Sequence, residues 1–185
     1  CAHGVSYAVF RLVRLQSAIL CLDVAFANTG VAVFAPWRGA FVHVEVVSTE
    51  PSRHKAQVYA VDDYHRRSTE LFSRLDTIMD RFQCRLIVAE LPTGGSKSSK
   101  ASAMMAMASA IVFCLSISRK VPLVCMRPSQ TKALVRPKGE VTKAEVQDLV
   151  RVAYPHGASL WPKNASREHA ADAMACWMAY KKDRL

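Results

Sequence analysis

The chain reads as an α/β protein: a five-stranded mixed sheet, three antiparallel strands followed by two parallel ones, flanked by helices. Three observations predict this. Three apolar or alternating runs separated by turn residues occupy residues 19–48. Two further apolar runs, at 85–90 and 121–126, are separated by a segment that suits a helix. The remainder carries helical patterns and no further strand. Strands followed by a helix–strand–helix–strand alternation describe a mixed sheet covered by helices.

The elements follow in order. Ile19–Asp23 is a short buried strand, and Asn28-Thr29-Gly30 is turn chemistry. Val31–Ala35 is a second strand, and Pro36-Trp37-Arg38-Gly39 a second turn. Phe41–Ser48 sets Val42, Val44 and Val46 against His43 and Glu45, the alternation of a half-exposed strand. Residues 50–63 are a polar loop leading into a helix. Leu71, Leu75, Ile78, Met79 and Phe82 have helical spacing, so that helix ends near Phe82. Arg85–Glu90 is the fourth strand, and Pro92 to Lys100 a flexible basic loop. Ala101–Ser118, rich in Ala, Met and Ser, is expected to be a helix packed close against the sheet. Val121–Met126 is the fifth strand. Pro128–Val135 is a short helix, and Arg136-Pro137-Lys138-Gly139 a basic loop. Thr142-Lys143-Ala144-Glu145 matches a capping box, with Val146, Leu149, Val150 and Ala153 as the buried stripe of its helix. Tyr154–Ser166 is irregular. A last helix runs from Arg167 to about Lys181, with Ser166 as N-cap.

At 185 residues the length suits one domain, assigned to residues 18–185, with residues 1–17 as an N-terminal extension of unassigned role. Apolar residues make up 51%, enough for a substantial core. Lys and Arg number 25 against 15 Asp and Glu, a formal charge of +10, which points to a polyanionic partner. No apolar run is read as reaching the roughly 18 residues of a membrane span. Arginines interrupt the apolar residues 8–15, which makes them a poor signal peptide. No membrane is therefore expected, and nucleic acid is favoured. The six cysteines form no C-x-x-C pair and most lie in apolar runs. They read as reduced core residues of a protein in a reducing, cytoplasmic, DNA-associated setting.

Four side chains stand apart. Asp23 ends Ile19-Leu20-Cys21-Leu22, and Glu90 ends Leu86-Ile87-Val88-Ala89. His169 and Asp172 are three apart on one predicted helix, so they share a face. The three acids have bland readings, as a strand-end turn former, a strand terminus and a helix-dipole carboxylate, but none of these explains His169. Together they fit better as ligands of a shared divalent cation, because a carboxylate at the end of a buried strand is costly unless neutralised. The carboxyl ends of such strands are where α/β sheets bind their ligands. Asp23 and Glu90 meet there only if the fourth strand lies beside the first.

These residues resemble the RuvC-type Holliday junction resolvases of the RNase H-like superfamily. Ile19-Leu20-Cys21-Leu22-Asp23 with Thr29-Gly30 resembles the family's first motif, and Leu86-Ile87-Val88-Ala89-Glu90 its second. Pro128-Ser129-Gln130-Thr131-Lys132 with Gly139, Lys143 and Val146 resembles its basic third segment. His169-Ala170-Ala171-Asp172 resembles its last. The resemblance spans residues 19–180. It departs where the family has Pro-Gly after the first Asp and this chain has Val24-Ala25, and in Leu91-Pro92-Thr93-Gly94-Gly95 after Glu90.

The resemblance implies an RNase H-like fold and a homodimeric endodeoxyribonuclease that cleaves four-way or other branched DNA by two-metal hydrolysis. Asp23, Glu90, His169 and Asp172 would hold two Mg2+ ions, with Mn2+ as a substitute better suited to the imidazole. Lys143 would stabilise the phosphate in the transition state. Lys97, Lys100, Lys132, Arg136, Lys138 and Lys143 would contact DNA, and six such contacts give a log–log salt slope of about −5. The helix at 101–118 would carry the dimer face. The alternatives are a nuclease of the same fold acting on RNA–DNA hybrid or flapped substrates, and a non-catalytic branched-DNA-binding protein. No small-molecule cofactor is expected: Gly94-Gly95-Ser96-Lys97-Ser98 lacks the spacing of a nucleotide-binding P-loop.

Overall fold

The structure, a computed structural model, describes residues 17–53, 58–92, 98–136, 138–163 and 166–184. Lys97, most of the loop after Glu90, and residues 1–16 of the extension lie outside them. The strands are β1 Ala18–Asp23, β2 Asn28–Ala35, β3 Ala40–Ser48, β4 Cys84–Glu90 and β5 Leu123–Met126. The helices are α1 Ala60–Phe82, α2 Ser99–Arg119, α3 Pro128–Lys132, α4 Lys143–Ala153, α5 Pro155–Ala158 and α6 Arg167–Arg184. The strands form one sheet in the order β3-β2-β1-β4-β5. The first three strands are antiparallel, and β1, β4 and β5 run parallel. This is the mixed sheet the sequence predicts, with β4 beside β1.

Alternation along the strands divides the core in two. Leu20, Leu22, Ile87 and Ala89 face α1 and α2, packing with Leu71, Leu75, Ile78, Val112 and Leu115. Ile19, Cys21 and Val88 face α6 and α4, packing with Ala170, Ala173, Met174, Trp177 and Val150. Asp23 and Glu90 continue this second set by parity, so both carboxylates rise on the face that α6 covers. The register pairs Asp23 directly with Glu90 across β1 and β4.

Several expectations are corrected. Asn28–Gly30 belong to β2 rather than to a turn. The alternation of β3 is broken: Val33 pairs with His43 but Phe34 with Phe41, which leaves Val42 as an extra residue. Val42 therefore packs on the α1 side and Val44 on the α6 side. The Tyr154–Ser166 segment contains the short α5, and Ala153 is exposed at the end of the α4 stripe. Cys21, Cys84 and Cys176 are buried as expected, and burial pushes the Cys84 thiol up to about 12, but Cys114 and Cys125 lie on the surface.

Helix α2 is the largest correction. It buries only Ala108, Ile111, Val112 and Leu115, while Phe113 and Ile117 are 44% and 75% exposed. By length and composition it is apolar enough to cross a membrane, because its interspersed serines lower hydropathy too little to break the run. A helix apolar all round gives no amphipathic signal for which side meets the core.

Candidate metal centre and nucleic-acid interface

The short segment after Asp23 is held through its backbone by groups on neighbouring elements. Val24 donates its N–H to Glu90 O at 3.0 Å, joining the two acid-bearing strand ends. Thr29 Oγ1 donates to Ala25 O at 2.6 Å, and Thr49 Oγ1 to Phe26 O at 2.6 Å. Arg67, 2% exposed, covers the Phe26 ring at 4.4 Å and donates to Thr49 O. Packing and hydrogen bonds thus shape a turn at the position where Val24-Ala25 departs from Pro-Gly.

Helix α6 reaches the acid-bearing strand ends through small residues. Ala170, Ala171, Ala173 and Ala175 are fully buried along it. Gly30, paired with Asp23 in β2, lies so close that a Cβ there would sit 1.9 Å from His169 O. The glycine lets the helix backbone approach the strand, and His169 Nδ1 comes to 2.9 Å from Asp23 Oδ2. Cys176 Sγ lies 3.4 Å from Leu22 O one residue below.

The electrostatics report convergence. The Asp172 carboxyl is pushed up to about 7 by burial, then by the charges of Asp23 and Glu90. Burial also raises Glu90; the Thr131 hydrogen bond opposes it and the Asp23 charge adds to it. His169 is raised by its hydrogen bond to Asp23. The three carboxyls and the imidazole thus act on one another electrostatically, with Lys143 and Lys132 opposing the mutual effect of the acids.

As the side chains stand, no three His, Cys, Asp or Glu groups among the described residues form a ready metal cage; Asp23 Oδ2 is turned onto His169 instead. The donor chemistry nevertheless suits a hard divalent cation: three oxygen donors, mutually repelling and partly desolvated, with one imidazole at the edge.

Lys143, at the first turn of α4, donates to Glu168 Oε1 at 2.7 Å, and its charge acts on Asp172 and Asp23. The capping box formed by Thr142 and Glu145 holds this helix start, and Arg136 pairs with Glu145. Lys132 is exposed and its charge lowers the proton affinity of Glu90. Lys100 and Lys138 are exposed. Sequence reasoning missed Glu168, which occupies Lys143, and Thr131, whose Oγ1 lies 2.8 Å from Glu90 Oε2. The extra acid beside His169 was a visible signal for the first. The second lay inside the Pro128–Lys132 segment already singled out, but its contact with Glu90 was not legible, since α3 reaches Glu90 only through the β4–β5 pairing.

A pH dependence follows. A carboxyl raised from 3.8 to about 7 on folding costs stability as pH climbs through that window, by up to about 4 kcal/mol. Raised Glu90 and His169 act in the same direction, since His169 loses its ion pair as pH rises. Metal-free protein should therefore melt at a lower temperature at about pH 8 than at about pH 5.5, and Asp172→Asn should remove much of that drop. Melting curves at both pH values check this; a wild type with a flat profile contradicts the assignment.

No protein-family model and no curated protein matches the chain. Solved structures do. RuvC from T. thermophilus in complex with a Holliday junction substrate aligns with a TM-score of 0.70 at 21% identity, over 89% of this chain and 93% of that one. Thermus thermophilus RuvC in another structure aligns at 0.66 and 20% identity, over 90% and 96%. The yeast mitochondrial Holliday junction resolvase Ydc2 aligns at 0.61 and 13% identity, over 90% and 80%. The chain has the RNase H-like fold of the RuvC-type Holliday junction resolvases.

Proposed function

We propose that this protein is a metal-dependent endonuclease that cleaves four-way or otherwise branched DNA. What supports the reading is the pairing of Asp23 with Glu90 across β1 and β4, together with Asp172, which burial and the charges of both acids raise to about 7. The fold likeness to junction resolvases supports the substrate class.

Asp23, Glu90, Asp172 and His169 are the residues that would hold the divalent ions, Mg2+ with Mn2+ as substitute. When bound, such ions stabilise charge on the attacking and leaving oxygens of a phosphodiester and provide hydroxide at neutral pH. The remaining roles belong to the chain. Lys143, released from Glu168, meets the negative charge developing on the phosphate. Lys100, Lys132, Arg136 and Lys138 neutralise flanking phosphates, which fixes the duplex arms without reading sequence. Lys97 is assigned the same role and lies outside the described residues. The exposed apolar side of α2 supports a homodimer, which would supply two sites related by a two-fold axis for paired cuts.

The test is a synthetic immobile four-way junction incubated with and without Mg2+, cuts being mapped on all strands beside an RNA–DNA hybrid control. Mg2+-dependent cuts on two opposing strands are expected. Preferential cleavage of the hybrid moves the substrate to RNA, and tight junction binding without cleavage in Mg2+ or Mn2+ makes this a binding protein.

A further inference from the structure

Thr131 is 7% exposed, and its Oγ1 stands between two acceptors, 2.8 Å from Glu90 Oε2 and 3.0 Å from Pro128 O. A hydroxyl has one proton to give. A carboxylate is the stronger acceptor, so that proton goes to Glu90 rather than to the carbonyl three residues back.

The helix carrying Thr131 is pinned at several points. Met126, the last residue of β5, pairs with Glu90, so α3 begins beside the carboxylate. Pro128 starts the helix, where its missing N–H costs nothing. Gln130 Oε1 accepts from Arg127 N–H at 2.9 Å, and Gln130 Nε2 donates to Asp183 Oδ2 on α6 at 2.6 Å. A five-residue helix tied to both β5 and α6 holds its hydroxyl in one place.

We propose that Thr131 is a positioning residue, whose hydroxyl holds Glu90 Oε2 and so leaves Oε1 as the oxygen Glu90 offers to the pocket it shares with Asp23 and Asp172. The inference rests on the metal-dependent reading above and adds a residue that touches neither ion nor substrate. The torsion that turns a carboxylate is broad and two-fold, so without a fixed partner Glu90 would sample many orientations. A hydrogen bond to a ligand's outer oxygen removes that freedom before the cation arrives.

The experiment is calorimetric titration of the protein with Mn2+ in the absence of DNA, on wild type, Thr131→Val, Thr131→Ser and Glu90→Gln, alongside melting curves without metal. Valine keeps the shape and loses the hydroxyl. It should weaken Mn2+ binding about tenfold, and serine should restore it to within about threefold of wild type. If the valine variant does not fold, Thr131→Ala and Thr131→Ser, which differ by the hydroxyl alone, carry the same comparison. A lower melting temperature with unchanged Mn2+ affinity makes Thr131 a packing residue and overturns the proposal. Wild type that binds Mn2+, with Glu90→Gln weakened and Thr131→Val unaffected, overturns this role alone. Wild type that binds no Mn2+ overturns the metal-dependent reading and this role with it.

Discussion

Asp23→Asn is expected to abolish Mg2+-dependent junction cleavage, by about a thousandfold or more, ~4 kcal/mol of transition-state stabilisation. Junction binding should stay within about threefold, since phosphate contacts by Lys and Arg carry most of the affinity. The change is isosteric, and the amide can still meet His169 Nδ1, which lies 2.9 Å from Oδ2. What it removes is the charge that raises both Glu90 and Asp172. It also removes the ion-pair partner of His169, so the two effects on stability oppose each other, and the metal-free melting curve shows whether lost cleavage reflects unfolding. Gel-resolved cleavage, a binding isotherm and a melting curve on the same sample decide it. Full activity would remove Asp23 from the chemistry.

Gly30→Ala is expected to cost at least about 3 kcal/mol of stability and to silence the site. Its Cβ would lie 1.9 Å from His169 O and 2.4 Å from His169 C. Both are backbone atoms of α6, so no rotamer change relieves the clash. Gly30 pairs with Asp23 on one side and Val46 on the other, so β2 is held between two strands. The helix must lift, loosening Ala170, Ala173 and Met174 from the sheet and carrying His169 and Asp172 away from Asp23. For a chain of this size, 3 kcal/mol lowers the melting temperature by roughly 6–12 °C. A variant that melts with wild type would mean that α6 does not approach the strand this closely.

Much of the architecture was legible because strands and helices leave local periodicities. Ile19–Asp23 and Leu86–Glu90 are apolar runs closed by acids, and their parity places both carboxylates on the α6 face. The Thr142–Glu145 capping box is present as read, with both reciprocal bonds. The extra residue at Val42 was not legible, because a bulge is a property of the pairing between β2 and β3. The exposed side of α2 was hidden by uniform composition: Met, Ala, Phe and Ile surround the whole helix.

The sequence by itself determined the succession of strands and helices along the chain, the identities of the acids at the strand ends, and an excess of basic residues. These are local or summed properties of the chain. Only the tertiary structure decided that Asp23 lies next to Glu90, that Gly30 exists to admit His169, and that Thr131 reaches Glu90 from a helix 41 residues along. Such contacts join segments whose spacing carries no periodic signal, and they depend on sheet register and on how closely a helix can approach it.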